Sequence, residues 1–331
     1  MNKIFLGKII KACTFFLVLS SVAHGMKNEP KKEFELVEAF EEKAGICSLC
    51  YMQPGYLILG LFDGSIKVLD MFHNFGCLKI FKEHNSSINF LCCCGNLLFS
   101  CSNDGLINLW NFDSKKSDEW THMKIYEGKG DCVDFVHCTK EGFLFFNEKT
   151  LKFLNIFSKK QDVRQLVWGN TGKEYGKISC SNNYMAASLC RDTTIDVLDV
   201  SDKNQVGWKI IKTLQNDKRV ESILCLGDKY IVTGSEDGTL KVFDVVANFS
   251  CVATWHGHDG VVTSIDGTDG YIATGSDDGT IKLWNIKNKF TLITVLKGFK
   301  KHICTVCCKN KYIIAGWWAE LVRIWKESEI K

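Results

Sequence analysis

The sequence predicts an all-β chain built from small antiparallel sheets repeated in tandem, and three observations predict it. Residues 217–244 read DKRVESILCLGDKYIVTGSEDGTLKVFD and residues 258–285 read HDGVVTSIDGTDGYIATGSDDGTIKLWN, one pattern written twice. Within each copy, apolar and polar residues alternate up to Glu236-Asp237-Gly238 or Asp277-Asp278-Gly279. Period-two alternation stopping at Asp-Gly is the strongest short-range sign of an antiparallel hairpin. The inner turn also recurs along the chain: Asp63-Gly64, Asp104-Gly105, Lys149-Thr150, Asp192-Thr193, Asp237-Gly238, Asp278-Gly279 and Ala319-Glu320 follow one another at intervals of 41 to 45 residues.

A unit opens near Gly257-His258, carries Ser-x-Asp-Gly-Thr at its inner turn (Ser235–Thr239, Ser276–Thr280) and ends on Trp-Asp or a relative (Phe243-Asp244, Trp284-Asn285). This pattern resembles the WD-repeat β-propeller family, whose blades are four strands in roughly 40 to 45 residues. The resemblance covers nearly the whole chain after the first thirty-odd residues. It implies a seven-bladed propeller of four-stranded antiparallel blades over residues 34–327, which is seven units of 42 and leaves no stretch for a second domain. Such a repeat is written outer strand first. The strand Phe34–Phe40 is therefore expected to pair with the last blade, which ends near Trp325, and closure removes the exposed edges of an open row of sheets.

The units are not equally well written. The third, around residues 128–157, has no Asp-Gly turn; the fourth has Arg191-Asp192-Thr193-Thr194; the seventh has Trp317-Trp318-Ala319-Glu320. Ahead of the repeats, Lys3, Lys8 and Lys11 precede the apolar run Ala12–Val22 and a small-x-small pair at Ser21/Ala23 or Ala23/Gly25. This reads residues 1–25 as a signal peptide, with residues 26–33 as a polar linker. Eleven apolar residues fall short of the roughly 20 that span a bilayer. The expected product is a secreted or periplasmic protein with no stable membrane insertion after signal removal.

Composition excludes several classes. Of 331 residues 46% are hydrophobic, two are proline and the net charge is +3, which argues against disorder, an acidic tail or a nucleic-acid footprint. Lys115-Lys116, Lys159-Lys160 and Lys300-Lys301 read as solvated loop charges. No phosphate loop or Gly-x-Ser-x-Gly is present, so no cofactor and no enzymatic activity are expected.

One constellation imitates catalysis. His84, Ser100, Asp104 and Trp110 recur as His258, Thr274, Asp278 and Trp284 with identical spacings of 16, 4 and 6. A His, Ser and Asp set suggests a hydrolytic triad, but duplication in one repeat register argues for structure. The resemblance implies a hydrogen-bonded brace from the blade-joining loop to the inner turn. Blades lacking its members are expected to rely on apolar packing.

The 17 cysteines invite a disulfide framework. Cys50, Cys92, Cys180, Cys225 and Cys307 instead fall near the ends of first strands, where free cysteine acts as a small apolar residue. Stacked sheets lie roughly 10 Å apart, too far for a bridge, so free thiols are expected. Cys47-x-x-Cys50 and Cys304-x-x-Cys307 are not expected to bind zinc, because residues i and i+3 of a strand face opposite ways.

What remains is surface. By the resemblance, blade-joining loops and inner turns share one face around the central channel, the usual protein-binding face. Arg191, Lys218, Arg219, Glu236, Asp277, Trp317 and Trp318 fall there, and Trp and Arg are the residues most enriched at binding hot spots. Trp317 or Trp318 could alternatively pack inward in place of the missing brace. The expected function is a non-enzymatic, monomeric scaffold for a protein or peptide of unknown identity. The alternative is a propeller that holds a sugar or small molecule in its channel, as an enzyme might.

Overall fold

A computed structural model describes residues 33–112, 120–127, 133–139, 142–147, 150–154, 163–166, 175–189, 192–201, 209–268, 270–299, 302–309, 311–317 and 321–328, with the backbone alone for the strands between 133 and 166. The signal-peptide and linker readings for residues 1–32, and Arg191, Trp318, Ala319 and Glu320, lie outside the described residues.

Every described element is a strand. β1 is Glu33–Glu41. The first sheet comprises β2 (Ile46–Met52), β3 (Tyr56–Leu61), β4 (Ile66–Asp70) and β5 (Gly76–Phe81); the second, β6 (Ile88–Cys94), β7 (Leu97–Ser102), β8 (Leu106–Phe112) and β9 (Trp120–Glu127). The third has β10 (Val133–Thr139), β11 (Gly142–Asn147), β12 (Thr150–Leu154) and β13 (Val163–Leu166); the fourth, β14 (Tyr175–Cys180), β15 (Tyr184–Leu189), β16 (Thr194–Asp199) and β17 (Ile210–Gln215). The fifth has β18 (Val220–Leu226), β19 (Tyr230–Ser235), β20 (Thr239–Asp244) and β21 (Ser250–His256); the sixth, β22 (Val262–Gly267), β23 (Tyr271–Ser276), β24 (Ile281–Asn285) and β25 (Thr291–Leu296). β26 (Ile303–Lys309), β27 (Tyr312–Trp317) and β28 (Leu321–Ser328) form the last sheet with β1. Leu36 lies opposite Trp325 and Phe40 opposite Val322, so the first strand of the chain completes its last sheet.

The described strands pair into seven four-stranded antiparallel sheets. The third sheet, β10–β13, is described by backbone pairing only. The expectation of a seven-bladed propeller is corrected to six blades. The exception is the third sheet, where β10 has its slightest contact with β14 of the next sheet.

Successive sheets meet through their first strands: β2 against β6, β18 against β22, β22 against β26, and β26 back against β2. Second strands are sandwiched between neighbouring sheets, which is why they read as continuous apolar runs such as YLILGL and YIIAGW and are buried almost throughout. Fourth strands face solvent on the rim, β5 being exposed at five of its six positions.

A recurring glycine sets how closely sheets approach. A methyl group at Gly60, Gly234, Gly275 or Gly316 would come 2.4 to 3.0 Å from Ile88, Val262, Ile303 or Ile46, the residue that opens the next first strand. Each glycine is therefore a socket for one β-branched knob, and the fourth pair seats the last sheet on the first. No helix among the described residues is long and apolar enough to cross a membrane.

Candidate partner-binding face and its braces

The inner turns follow directly from their residues. Asp63, Asp104, Asp237 and Asp278 each accept the backbone N–H two residues on, at 2.8 to 3.0 Å. The glycines that follow them have φ of 78 to 82°, where a side chain would be strained. At Gly238 the added clash is severe, since a Cβ would lie 1.8 Å from the His258 carbonyl oxygen.

In the sixth sheet, His258 Nδ1 lies 2.9 Å from Asp278 Oδ2 and His258 Nε2 lies 2.7 Å from Thr274 Oγ1. Trp284 Nε1–H donates to the same hydroxyl oxygen at 2.9 Å. The second sheet repeats this: His84 Nδ1 is 3.0 Å from Asp104 Oδ2, Nε2 is 2.8 Å from Ser100 Oγ, and Trp110 Nε1–H donates to Ser100 Oγ at 3.0 Å. The carboxylate assigns the tautomer, so Nδ1 carries the proton and Nε2 accepts from the hydroxyl. A hydroxyl, imidazole and carboxylate in line are the parts of a triad, yet Ser100 and Thr274 are wholly buried and out of reach of any substrate. Burial, outweighing the carboxylates beside them, holds His84 and His258 below the usual histidine value. Burial works to raise the Asp104 and Asp278 carboxyls. The amides of Asn85 and Leu106, and the hydroxyl and amide of Thr280, with the histidines, overcome it, and both lie below the ordinary carboxylate value.

Other sheets fill the same position with other chemistry. In the fifth, buried Asn216 donates from Nδ2 to Thr233 Oγ1 at 3.1 Å, and Lys241 pairs with Asp217 at 2.8 Å. In the first, Lys67 pairs with Glu42. In the last, Arg323 lies over the Phe299 ring, 5.6 Å from its centroid. The expectation that these sheets rely on apolar packing is corrected for the first and fifth, which carry polar locks of their own. Sequence reasoning missed them because the partners lie outside the family pattern; the signal was Lys67, Lys241 and Lys282 recurring at one register position of the third strands.

Next to the turns lies a set of repeat-equivalent positions. The N–H groups of Phe62, Asn103, Glu236 and Asp277 donate to the carbonyls of Gly45, Ser87, Arg219 and Val261 at 2.9 to 3.1 Å, so each residue is pinned over the start of its own first strand. Arg219 reaches Glu221 at 2.5 Å and Glu236 at 3.5 Å, and Asp277 holds His302 Nδ1 at 2.8 Å. Lys218 is exposed beside them. Phe62, 47% exposed, is a member of this set that sequence reasoning missed, although it precedes Asp63-Gly64 as Glu236 precedes Asp237-Gly238. Trp317 sits differently. It is the last residue of β27, opposite Ile303, half-buried against the core of the sixth and last sheets. Ser276, Ser235 and Ser102 hold the equivalent place in other sheets.

Cys50 and Cys93 are free thiols, but the argument that neighbouring sheets keep sulfurs apart is corrected. Cys50 and Cys93 Sγ atoms are 2.8 Å apart. The 10 Å spacing belongs to sheets stacked face to face, whereas here the first strands converge closely enough for Leu91 N–H to donate to Ser48 Oγ at 3.0 Å. Cys47 is half-buried, its thiol pushed up to about 11 by burial and by Asp63. Cys304 Sγ lies 3.7 Å from the His302 carbonyl. Among the described residues no group of three His, Cys, Asp or Glu side chains could hold a metal ion.

The WD40 family, described as WD domain, G-beta repeat, matches residues 75–111, 208–244 and 249–285. The chain carries WD40 repeats. These matches run from β5 to Asn111 of β8, over β17–β20 and over β21–β24, and contain both braces. The chain is 26% identical over 218 residues to "Ribosome biogenesis protein WDR12 homolog" of Trichoplax adhaerens, covering 57% of this chain and 50% of that protein. It is 25% identical over 229 residues to "LEC14B homolog" of Prunus armeniaca, covering 67% of this chain and 46% of that one. The chain thus spans about half the length of these relatives. Among solved structures, the computationally designed Ika8 protein matches with a TM-score of 0.65 at 18% identity, covering 86% of this chain and 97% of that one. That likeness concerns the fold alone.

Proposed function

We propose that this WD40 chain is a non-catalytic scaffold that binds a protein or peptide across the face carrying its inner turns. One observation carries the reading. Phe62, Asn103, Glu236 and Asp277 occupy one repeat-equivalent position and are held rigidly by backbone bonds, offering an apolar ring, an amide and two carboxylates on one rim. Arg219 and His302 stand beside the carboxylates as exposed partners. Rigid, chemically mixed surface with an aromatic anchor is what a peptide-binding site requires, because little entropy is lost on ordering it. The buried triad-like sets support a structural role and offer no nucleophile to a substrate. In this reading residues 1–25 direct export and the mature chain begins after Ala23 or Gly25.

The test immobilises the full chain and compares retained proteins for the wild type, Phe62→Ala, Arg219→Glu and the rim control Val246→Ala, Val246 being 82% exposed on an outer turn. A specific partner should be lost with the first two variants, by roughly tenfold or more in affinity, and kept with the control. Equal retention by all four would overturn the assignment of the face.

A further inference from the structure

The described cysteines have no part in the proposed face, and one pair of them is arranged for chemistry. We propose that Cys50 and Cys93 form a reversible disulfide that clasps the first sheet to the second. Their sulfurs are 2.8 Å apart, so a bond of about 2.0 Å needs under about 1 Å of further approach. The strands around them are held in register. Two residues earlier on each strand, Leu91 N–H donates to Ser48 Oγ at 3.0 Å, and both pairs are 43 residues apart in sequence. Since residues two apart share a strand face, this rung holds the next one in place.

At the joint between the sixth and last sheets the second rung is filled differently. There Ser264 Oγ accepts Val306 N–H at 3.0 Å, and Asp266 Oδ2 then accepts Cys308 N–H at 2.7 Å. The joint between the first and second sheets repeats the serine rung, but two thiols meet where the carboxylate and amide would. Both belong to one apolar cluster, with Cys50 buried and Cys93 half-buried. Burial first, and then Cys93 beside it, push the Cys50 thiol well above its ordinary value, so Cys50 stays protonated and waits.

The chemistry is thiol–disulfide exchange with a low-molecular-weight disulfide such as oxidised glutathione. Cys93, the accessible thiol, loses its proton and its thiolate attacks one oxidant sulfur. One thiol leaves with that proton, and a mixed disulfide remains on Cys93. Cys50 then loses its proton, attacks the Cys93 sulfur and displaces the second thiol. Two protein thiols have become one disulfide and the oxidant has become two thiols, so electrons and protons balance.

The full chain is incubated with oxidised glutathione, quenched in acid, alkylated, digested and weighed. A peptide pair joined through Cys50 and Cys93, lighter by two hydrogens and released by dithiothreitol, is the expected product. Oxidation should raise the melting midpoint by about 5 °C. Cys50→Ser and Cys93→Ser should each abolish both link and shift, while Cys92→Ser and Cys94→Ser keep them. Full alkylation of Cys50 and Cys93 after oxidation overturns the proposal, as does a link that survives in Cys93→Ser. Should Cys50→Ser fail to fold, the Cys93→Ser arm decides alone.

Discussion

Thr274→Val isolates the brace from everything around it. The change keeps the shape of the side chain and removes one hydroxyl at a site with no solvent exposure. That hydroxyl serves two buried rings, donating to His258 Nε2 at 2.7 Å and accepting from Trp284 Nε1–H at 2.9 Å. A buried polar group deprived of its partner costs about 1 to 3 kcal/mol, and valine leaves no room for a water to substitute. Two orphaned groups therefore set a loss of about 2 to 6 kcal/mol, with the midpoint near 4. The fifth sheet supplies the internal control. Thr233 is equally buried, but its hydroxyl accepts one bond, from Asn216 Nδ2 at 3.1 Å, so Thr233→Val should lose about half as much. Urea unfolding of both variants reads the difference as separated midpoints at a common slope. Equal losses would refute the reasoning, because the second ring would then contribute nothing. An unchanged midpoint for Thr274→Val would refute it outright.

Two further perturbations follow from the same geometry. His84, His258, Asp104 and Asp278 all sit below their ordinary values of 6.5 and 3.8 in the folded chain. A depressed group contributes stability that is present above its unfolded value and lost as pH falls through the folded one. The melting midpoint should hold between pH 7 and 8 and decline below about 6.5, less steeply in His258→Gln; a midpoint that rises on acidification contradicts this. Gly234→Ala would place a methyl group 2.4 Å from Val262 Cγ1 and should cost about 1 to 3 kcal/mol by overpacking. Adding Val262→Ala should recover part of that loss, and a double variant no better than Gly234→Ala would count against the socket.

How much of this was legible depends on where the information sits. Hairpins were legible because Asp and Gly act locally: the carboxylate caps the amide two residues on, and glycine alone takes the positive φ that follows. The last sheet was legible for a similar reason, since one strand too many at the start answers one too few at the end. Other features have no local signature. Asn248 and Phe249 adopt φ of 56 and 59°, as do Asn74-Phe75 and Lys289-Phe290 in their own turns. A bulky ring in that region is uncommon. Its stability comes from elsewhere: Phe249 meets Tyr184 edge-on at 5.8 Å, and Phe290 stacks on Trp255 at 5.7 Å. No rule of turn propensity contains those partners.

The candidate site shows the same division more sharply. His84 and His258 were found because their partners lie at fixed spacings in the same repeat. Glu42, Asn216 and Phe299 stand at or within a residue of the same place before their first strands, yet each is completed by a different residue: Lys67, Thr233 and Arg323. What recurs from sheet to sheet is a mechanical need, that the joining loop be fastened to its sheet, and not a residue type. Repeat alignment recovers the need only where the chemistry was repeated too. That also explains Trp317. The sequence leaves it open between the binding face and inward packing; paired opposite Ile303, it is the last residue of a second strand and half-buried against the core of the sixth and last sheets. Phe62, by contrast, comes one residue after its second strand ends and is left exposed. A shift of one position past a strand end thus turns an aromatic from packing into a candidate anchor, and only the register, not composition, distinguishes the two.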